Sequence, residues 1–173
     1  MRKLPKHIIS VAAMLITAAI VTQLPAQQPA KQAPQPAKDY VSAKEVVAMM
    51  GKAKSERKQD QANFIQTLLR ETPYTANLEY RAIVGPAATH EKEAELFYVI
   101  DGGGTLVTGG KLVGETRTNA ENLSGTAIEG GMNQVVSKGD FFIVPENTPH
   151  WFSKLDGTLV LMSLHVPRPV PAR

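Results

Sequence analysis

The chain has 173 residues, 43% of them hydrophobic, and no cysteine, which suits one ordinary domain and excludes disulfides and thiolate metal sites. The isoelectric point of 9.2 does not indicate nucleic-acid binding, because three of the 19 basic residues and none of the 16 acidic residues lie in residues 1–26. The remainder is electrically balanced, so we expect no nucleic-acid partner.

Residues 1–26 have the three parts of a secretory signal peptide. A basic start at residues 1–7 is followed by the apolar run IISVAAMLITAAIV at residues 8–21, and then by small residues and proline. The apolar run is shorter than the roughly 20 residues of a membrane-spanning helix. We predict cleavage after Ala26, with Ala30 as second choice, and a periplasmic or secreted protein without a stable membrane span. An uncleaved N-terminal anchor is the alternative.

Residues 27–40 are rich in proline, glutamine and alanine, and this composition predicts an extended linker. A helix region, residues 41–60, follows the linker. Ser42 and Glu45 have the spacing of a capping box, which predicts a helix of about three turns with Gly51 near its end. We expect this helix to pack on the outside of a domain formed by residues 61–173.

From about residue 61 the chain consists of short apolar segments separated by turn residues, which is typical of a β-sandwich or β-barrel. Gly102, Gly103 and Gly104 predict a tight turn between two strands. Residues 111–133 are polar and glycine-rich, and predict a long excursion with a short strand pair inside. Strands are predicted at residues 62–70, 76–84, 95–100, 105–108, 134–137, 141–144, 149–154 and 158–166.

The candidate chemistry lies at the ends of two predicted strands. His90 precedes an acidic cluster that ends in Glu95, and His150 follows the strand at residues 141–144. Two imidazoles and one carboxylate can hold a divalent metal and leave positions open for water or a substrate oxygen.

Two segments around these residues resemble the two motifs of the cupin superfamily. The segment from His90 to Gly102 has the spacing of the first motif, and the segment from Gly139 to His150 has that of the second. The resemblance covers about residues 75–166. It implies an all-β fold, the cupin double-stranded β-helix or jelly-roll barrel, with one short N-terminal helix added here.

By this resemblance, His90, Glu95 and His150 fall on metal-ligand positions and hold one divalent transition metal, Zn, Mn, Fe or Ni. Ala88 stands where the first motif has its leading histidine, so one of the four usual ligands is missing. Asn147 replaces a usual glycine, which is tolerable because asparagine accepts left-handed backbone angles. Because this ligand is missing, a second interpretation stays open: a cupin whose pocket binds an organic ligand without metal.

Strand alternation predicts an apolar surround for this site. Phe97 and Val99 share a face with Glu95, and Phe152 shares a face with His150. The three apolar side chains would line a pocket around the ion or form ordinary barrel core.

Three charged or polar residues near the site are open to two interpretations. Arg81 would bind an anionic substrate if it faced inward, but an outward, solvated charge is favoured. His165, on the last predicted strand, is a polar pocket residue or, by preference, a structural histidine. Glu93 is a substitute ligand or, by preference, a solvated surface charge.

The sequence thus predicts an exported cupin that binds a divalent metal and acts on a small polar molecule. Oxygenase, isomerase and lyase or decarboxylase chemistry remain open, because one fold hosts many reactions. The alternative is a non-enzymatic protein that binds a sugar or small acid without metal. The resemblance also implies a homodimer.

Overall fold

The computed structural model describes residues 36–168, so the predicted signal peptide and most of the predicted linker lie outside the described residues. One helix, α1 (Ala43–Glu56), precedes eleven strands that pair antiparallel. The strands are β1 (Asn63–Glu71), β2 (Tyr74–Arg81), β3 (Ala87–His90), β4 (Glu93–Thr108), β5 (Lys111–Val113), β6 (Thr116–Arg117), β7 (Asn122–Gly125), β8 (Ala127–Glu129), β9 (Met132–Ser137), β10 (Phe141–Val144) and β11 (His150–Pro167). The all-β prediction with one N-terminal helix is confirmed. No helix in this part of the chain is both long and apolar enough to cross a membrane.

Helix α1 begins at the predicted capping box. The Ser42 hydroxyl accepts from the backbone N–H of Glu45, and the Glu45 carboxylate accepts from the backbone N–H of Ser42. The helix continues to Glu56, so Gly51, predicted near its end, lies within it. Ala53, beyond the glycine, is fully buried against the sheet. This packing outweighs the helix cost of about 1 kcal/mol for a glycine.

Strands β4 and β11 pair along almost their whole lengths and form the centre of the large sheet. The predicted tight turn at the three glycines is wrong, because they lie inside β4. Here β11 passes so close that a Cβ atom on Gly102 would overlap the carbonyl oxygen of Thr158. A Cβ atom on Gly104 would overlap that of Lys154. The glycines therefore permit close strand approach instead of ending the strand. The two strands predicted at residues 149–154 and 158–166 are likewise one strand with register shifts.

Apolar residues fill two separate regions. One cluster occupies the barrel interior, and its buried members are Phe97, Val99, Leu106, Val136, Val144, Phe152, Leu159 and Leu161. The other lies between α1 and the outer face of β1, β2 and β11, and its buried members are Ala53, Leu68, Ala76, Leu78, Tyr80 and Val160. The end of the barrel interior that is left to polar side chains holds the candidate site.

The excursion at residues 111–133 contains the predicted short pair, which is formed by β5 and β8. It also contributes β7, which pairs with β3 and places Asn122 opposite His90. The loop between β10 and β11 carries Asn147, whose φ of 58° is the left-handed backbone angle that the sequence predicted. The backbone N–H of Asn147 donates to the carbonyl oxygen of His90 over 2.6 Å and fixes this loop beside the site.

Candidate metal centre

Four side chains from three strands meet at the polar end of the barrel. The Nε2 atoms of His90 and His150 each lie 3.3 Å from Oε2 of Glu95. The Nε2 atom of His165 lies 3.4 Å from the other carboxylate oxygen, Oε1. Glu95 and His150 are buried, while His90 and His165 are half-buried. The structure thus brings together the three residues that the sequence singled out and adds His165.

The position of His165 follows from the pairing of β4 with β11, which sets it directly opposite Glu95. One ligand atom each of His90, Glu95 and His165 all lie within 4.8 Å of one another. The structure therefore places His165 in the wall of the candidate site, which favours its interpretation as a polar pocket residue. Its place could not be found in the sequence, because the register of strands 70 positions apart is not a local property.

Each histidine has a hydrogen-bond partner on its outer nitrogen. Nδ1 of His90 lies 2.7 Å from Oδ1 of Asn122, and Nδ1 of His150 lies 3.3 Å from the carbonyl oxygen of Thr148. Carbonyl oxygens accept and do not donate, so these contacts place a proton on Nδ1. In the neutral ring the lone pair is then on Nε2, the nitrogen that faces Glu95.

His165 is oriented in the same way by Glu93. Its Nδ1 lies 2.7 Å from Oε1 of Glu93, whose side chain is 30% exposed. The preferred interpretation of Glu93 as a solvated surface charge is corrected: its carboxylate holds a histidine ring. Asn122 and Thr148 were missed altogether. Asn122 belongs to no recognisable motif, and Thr148, within the second motif segment, contributes only its backbone carbonyl oxygen, which its residue type does not reveal.

The donor set fits a divalent transition metal. Three neutral Nε2 lone pairs directed at one carboxylate repel it, unless protons or a cation lie between them. Two donors bound at roughly 2.0–2.2 Å to one ion can be separated by the distances seen here between each Nε2 atom and Glu95. His90, Glu95 and His165 form the group whose ligand atoms are all mutually close, and His150 lies outside that group. An acceptor on the second nitrogen of each metal-binding histidine is the usual arrangement around protein-bound metals.

The same contacts govern protonation in the metal-free protein. Burial opposes the charged form of His90, but hydrogen bonds to Glu95 and Asn122 outweigh it and raise the pKa of this imidazole. Burial also opposes the ionised form of Glu95. Hydrogen bonds from His150 and His90, together with the positive charges of His150 and His165, prevail and hold the pKa of this carboxyl well below its usual range.

A cavity of about 350 Å³ opens on this cluster. Its lining residues are Ala62, Asn63, Ile65, Glu79, Arg81, Gly85, Pro86, Ala88, His90, Glu95, His150 and His165. Arg81 faces this cavity, so the favoured outward orientation is wrong. Its neighbour Tyr80 lies on the outer face of the sheet, beneath α1. Phe97, Val99 and Phe152 belong to the buried core cluster, the second of their two predicted roles.

A family model described as Cupin matches residues 57–164. The chain belongs to the cupin family. No curated protein sequence matches this cupin.

Solved structures similar to this cupin include a cupin superfamily protein from Desulfitobacterium hafniense DCB-2, at 10% identity and a TM-score of 0.44, covering 65% of this chain and 84% of that one. KdgF from Halomonas sp. is 18% identical, with a TM-score of 0.44 and coverage of 65% and 86%. HppE in its iron(II) form is 14% identical, with a TM-score of 0.47, covering 61% of this chain and 51% of that one. Similarity at this level concerns the fold alone.

The cupin site departs from the usual motif at one ligand. Ala88 lies on β3 directly opposite His150 and leaves space in the cavity wall where the motif has a histidine. His165 brings an imidazole to Glu95 from the last strand instead. Three histidines and one glutamate therefore meet here, but two of the histidines come from β11.

Proposed function

We propose that this cupin holds one divalent transition metal through His90, Glu95, His150 and His165 and acts on a small polar molecule. One observation carries the proposal: three Nε2 atoms lie 3.3–3.4 Å from one buried carboxylate, and all three Nδ1 atoms have acceptors. Such an arrangement orients imidazoles before an ion binds, which lowers the entropy lost on binding.

The ion would supply Lewis acidity and a lowered pKa for bound water. The protein's own residues provide the rest. Asn122, Thr148 and Glu93 fix the three rings, and the cavity admits a molecule of small size. Zn, Mn, Fe and Ni all accept histidine and carboxylate ligands, so the metal is to be identified by analysis of the protein.

The test is the metal content of protein purified without affinity tags that bind metal, with and without supplementation by Zn²⁺, Mn²⁺, Fe²⁺ or Ni²⁺. About one equivalent of one of these metals per chain is expected. His150→Ala should lower this content strongly without loss of the folded barrel. Less than about a tenth of an equivalent after supplementation would favour the metal-free binding protein instead.

Export is part of the proposal and is supported by the leader pattern of residues 1–26. Mass spectrometry of the protein from the periplasmic and culture fractions should find a mature N-terminus at Gln27. An intact Met1 terminus on cell-internal protein would contradict export.

A homodimer is also proposed, and an exposed apolar face supports it. Phe141 and Ile143 on β10 are 63% and 56% exposed, and Tyr98, the cross-strand neighbour of Phe141, is 41% exposed. Within residues 36–168, β10 pairs with β4 alone. Exposed apolar side chains beside a free strand edge are typical of an association surface.

A further inference from the structure

A buried ion pair lies in the wall of the cavity beside the candidate metal centre. Nε and Nη2 of Arg81 donate to Oε2 of Glu79 over 2.9 and 2.5 Å. Glu79 is 4% exposed, and its carboxylate also accepts from Asn63 over 2.9 Å and from Ser163 over 2.7 Å. A buried pair of this kind adds little stability over apolar residues of similar volume. Its place in a cavity wall therefore indicates a role toward a ligand.

Glu79 fixes the guanidinium of Arg81 and leaves part of it unused. The Cζ atom lies 4.7 Å from the centroid of the Phe152 ring, which supports one face of the guanidinium. Its Nη1 makes no hydrogen bond to any residue between 36 and 168. A planar group held along one edge and one face loses little conformational entropy when its remaining N–H groups bind a ligand.

The charges around the cavity favour a ligand with one negative charge. Among the groups that line the cavity, Arg81 is positive and Glu79 and Glu95 are negative, and the metal of the proposed function contributes two positive charges. The sum is one positive charge in a partly enclosed space. Glu79 already accepts from two N–H groups of Arg81 and offsets part of its charge. What remains of the guanidinium matches the single charge of a carboxylate better than the double charge of a phosphate.

The remaining wall limits the size and polarity of the ligand. Small or apolar side chains line it, namely Ala62, Ile65, Gly85, Pro86 and Ala88. The volume of about 350 Å³ is near the lower end for small-molecule sites. A ligand with one charged end and a short, weakly polar body matches these surfaces.

We propose that the ligand of this cavity is a small organic acid whose carboxylate binds Arg81, with Glu79 as the positioning residue that holds the guanidinium. The net-charge argument rests on the proposed metal site. The contact with Arg81 is independent of the metal, so the two proposals can fail separately.

The test compares lactate with lactamide, which has the same size and no charge, and with inorganic phosphate. Binding is measured by calorimetry on the wild-type protein, both loaded with metal and treated with a chelator. In the metal-loaded protein, lactate should bind at least about tenfold more tightly than lactamide, and more tightly than phosphate. After chelation the preference for lactate over lactamide should be smaller but still present, because Arg81 remains while the positive charge of the metal is lost. Equal binding of lactate and lactamide, or tighter binding of phosphate, would overturn the proposal.

Variants attribute this preference to the guanidinium. Arg81→Gln should remove the preference for lactate, and Arg81→Lys should retain part of it, because lysine keeps the charge without the planar fork. Arg117→Gln is the matched control, since Arg117 pairs with Glu91 outside this cavity. A preference that persists in Arg81→Gln, or that is lost equally in Arg117→Gln, would overturn the assignment. Metal content is measured on every variant and should stay unchanged, so that loss of the metal is recognised as failure of the proposed function.

Discussion

The two nitrogens of each histidine in this centre have different partners. Nδ1 faces a fixed acceptor, while Nε2 faces Glu95. In the metal-free protein, a proton on Nε2 removes the repulsion between its lone pair and the carboxylate. A metal ion does the same with a larger charge, so protons and metal compete for the same position.

This competition predicts opposite pH responses with and without metal. The pKa of His90 is raised in the folded protein, so its stabilising effect is complete below its unfolded pKa of about 6.5 and is lost as the pH rises through the folded value. The pKa of Glu95 is lowered, so its effect is present above its unfolded pKa of about 4.3 and is lost as the pH falls through the folded value.

With a chelator present, the melting temperature should therefore fall between about pH 6 and about pH 8. With saturating metal it should hold or rise over the same range, because neutral imidazoles are the ligands. Thermal scans at matched ionic strength measure both curves. Parallel curves would show that the histidines do not exchange protons for metal.

At the scale of residues, sequence reasoning identified the candidate ligands that lie in motifs. His90, Glu95 and His150 could be selected by spacing along the chain. His165 and its partner Glu93 could not, because they meet through the pairing of β4 with β11. Arg81 was assigned to the wrong face of its strand. The alternation of side chains along a strand defines two faces but does not show which of them points inward.

At the scale of elements, the close contact between β4 and β11 determines how the ligands meet. The strand pair carries Glu95, His150 and His165, so its register sets their separations. The sequence showed most of the strand segments but divided both long strands at glycine-containing positions. A glycine that ends a strand cannot be distinguished, from a single sequence, from a glycine that lets two strands approach closely.

Gly104 provides a direct test of this close approach. Gly104→Ala should lower the free energy of unfolding by about 1–3 kcal/mol, because the added methyl group meets the carbonyl oxygen of Lys154. Gly51→Ala is the control within α1, where no atom lies within 4 Å of the added methyl group. It should raise stability by about 0.5–1 kcal/mol. Chemical denaturation of both variants measures the difference, and a neutral Gly104→Ala would show that the strands can separate at no cost.

At the scale of the whole molecule, α1 covers the outer face of β1, β2 and β11, while Tyr98 beside it and Phe141 and Ile143 on β10 remain exposed. We predict that the protein is a dimer in solution and that Phe141→Lys makes it monomeric. Tyr74→Lys, a substitution of a 49% exposed residue at the start of β2, is the control and should leave the dimer intact. Light scattering coupled to size-exclusion chromatography measures the mass. A monomeric wild type would contradict the proposal.

The central claim is that this cupin keeps a four-residue metal site by taking its third histidine from β11. The most direct test is the metal affinity of His165→Ala, measured by competition with a chromogenic chelator and compared with wild type and with Lys111→Ala on the distant β5–β8 pair. We predict a loss of at least about tenfold for His165→Ala and no change for Lys111→Ala, with the barrel intact by circular dichroism. An unchanged affinity in His165→Ala would contradict the claim and leave His90, Glu95 and His150 as the whole site.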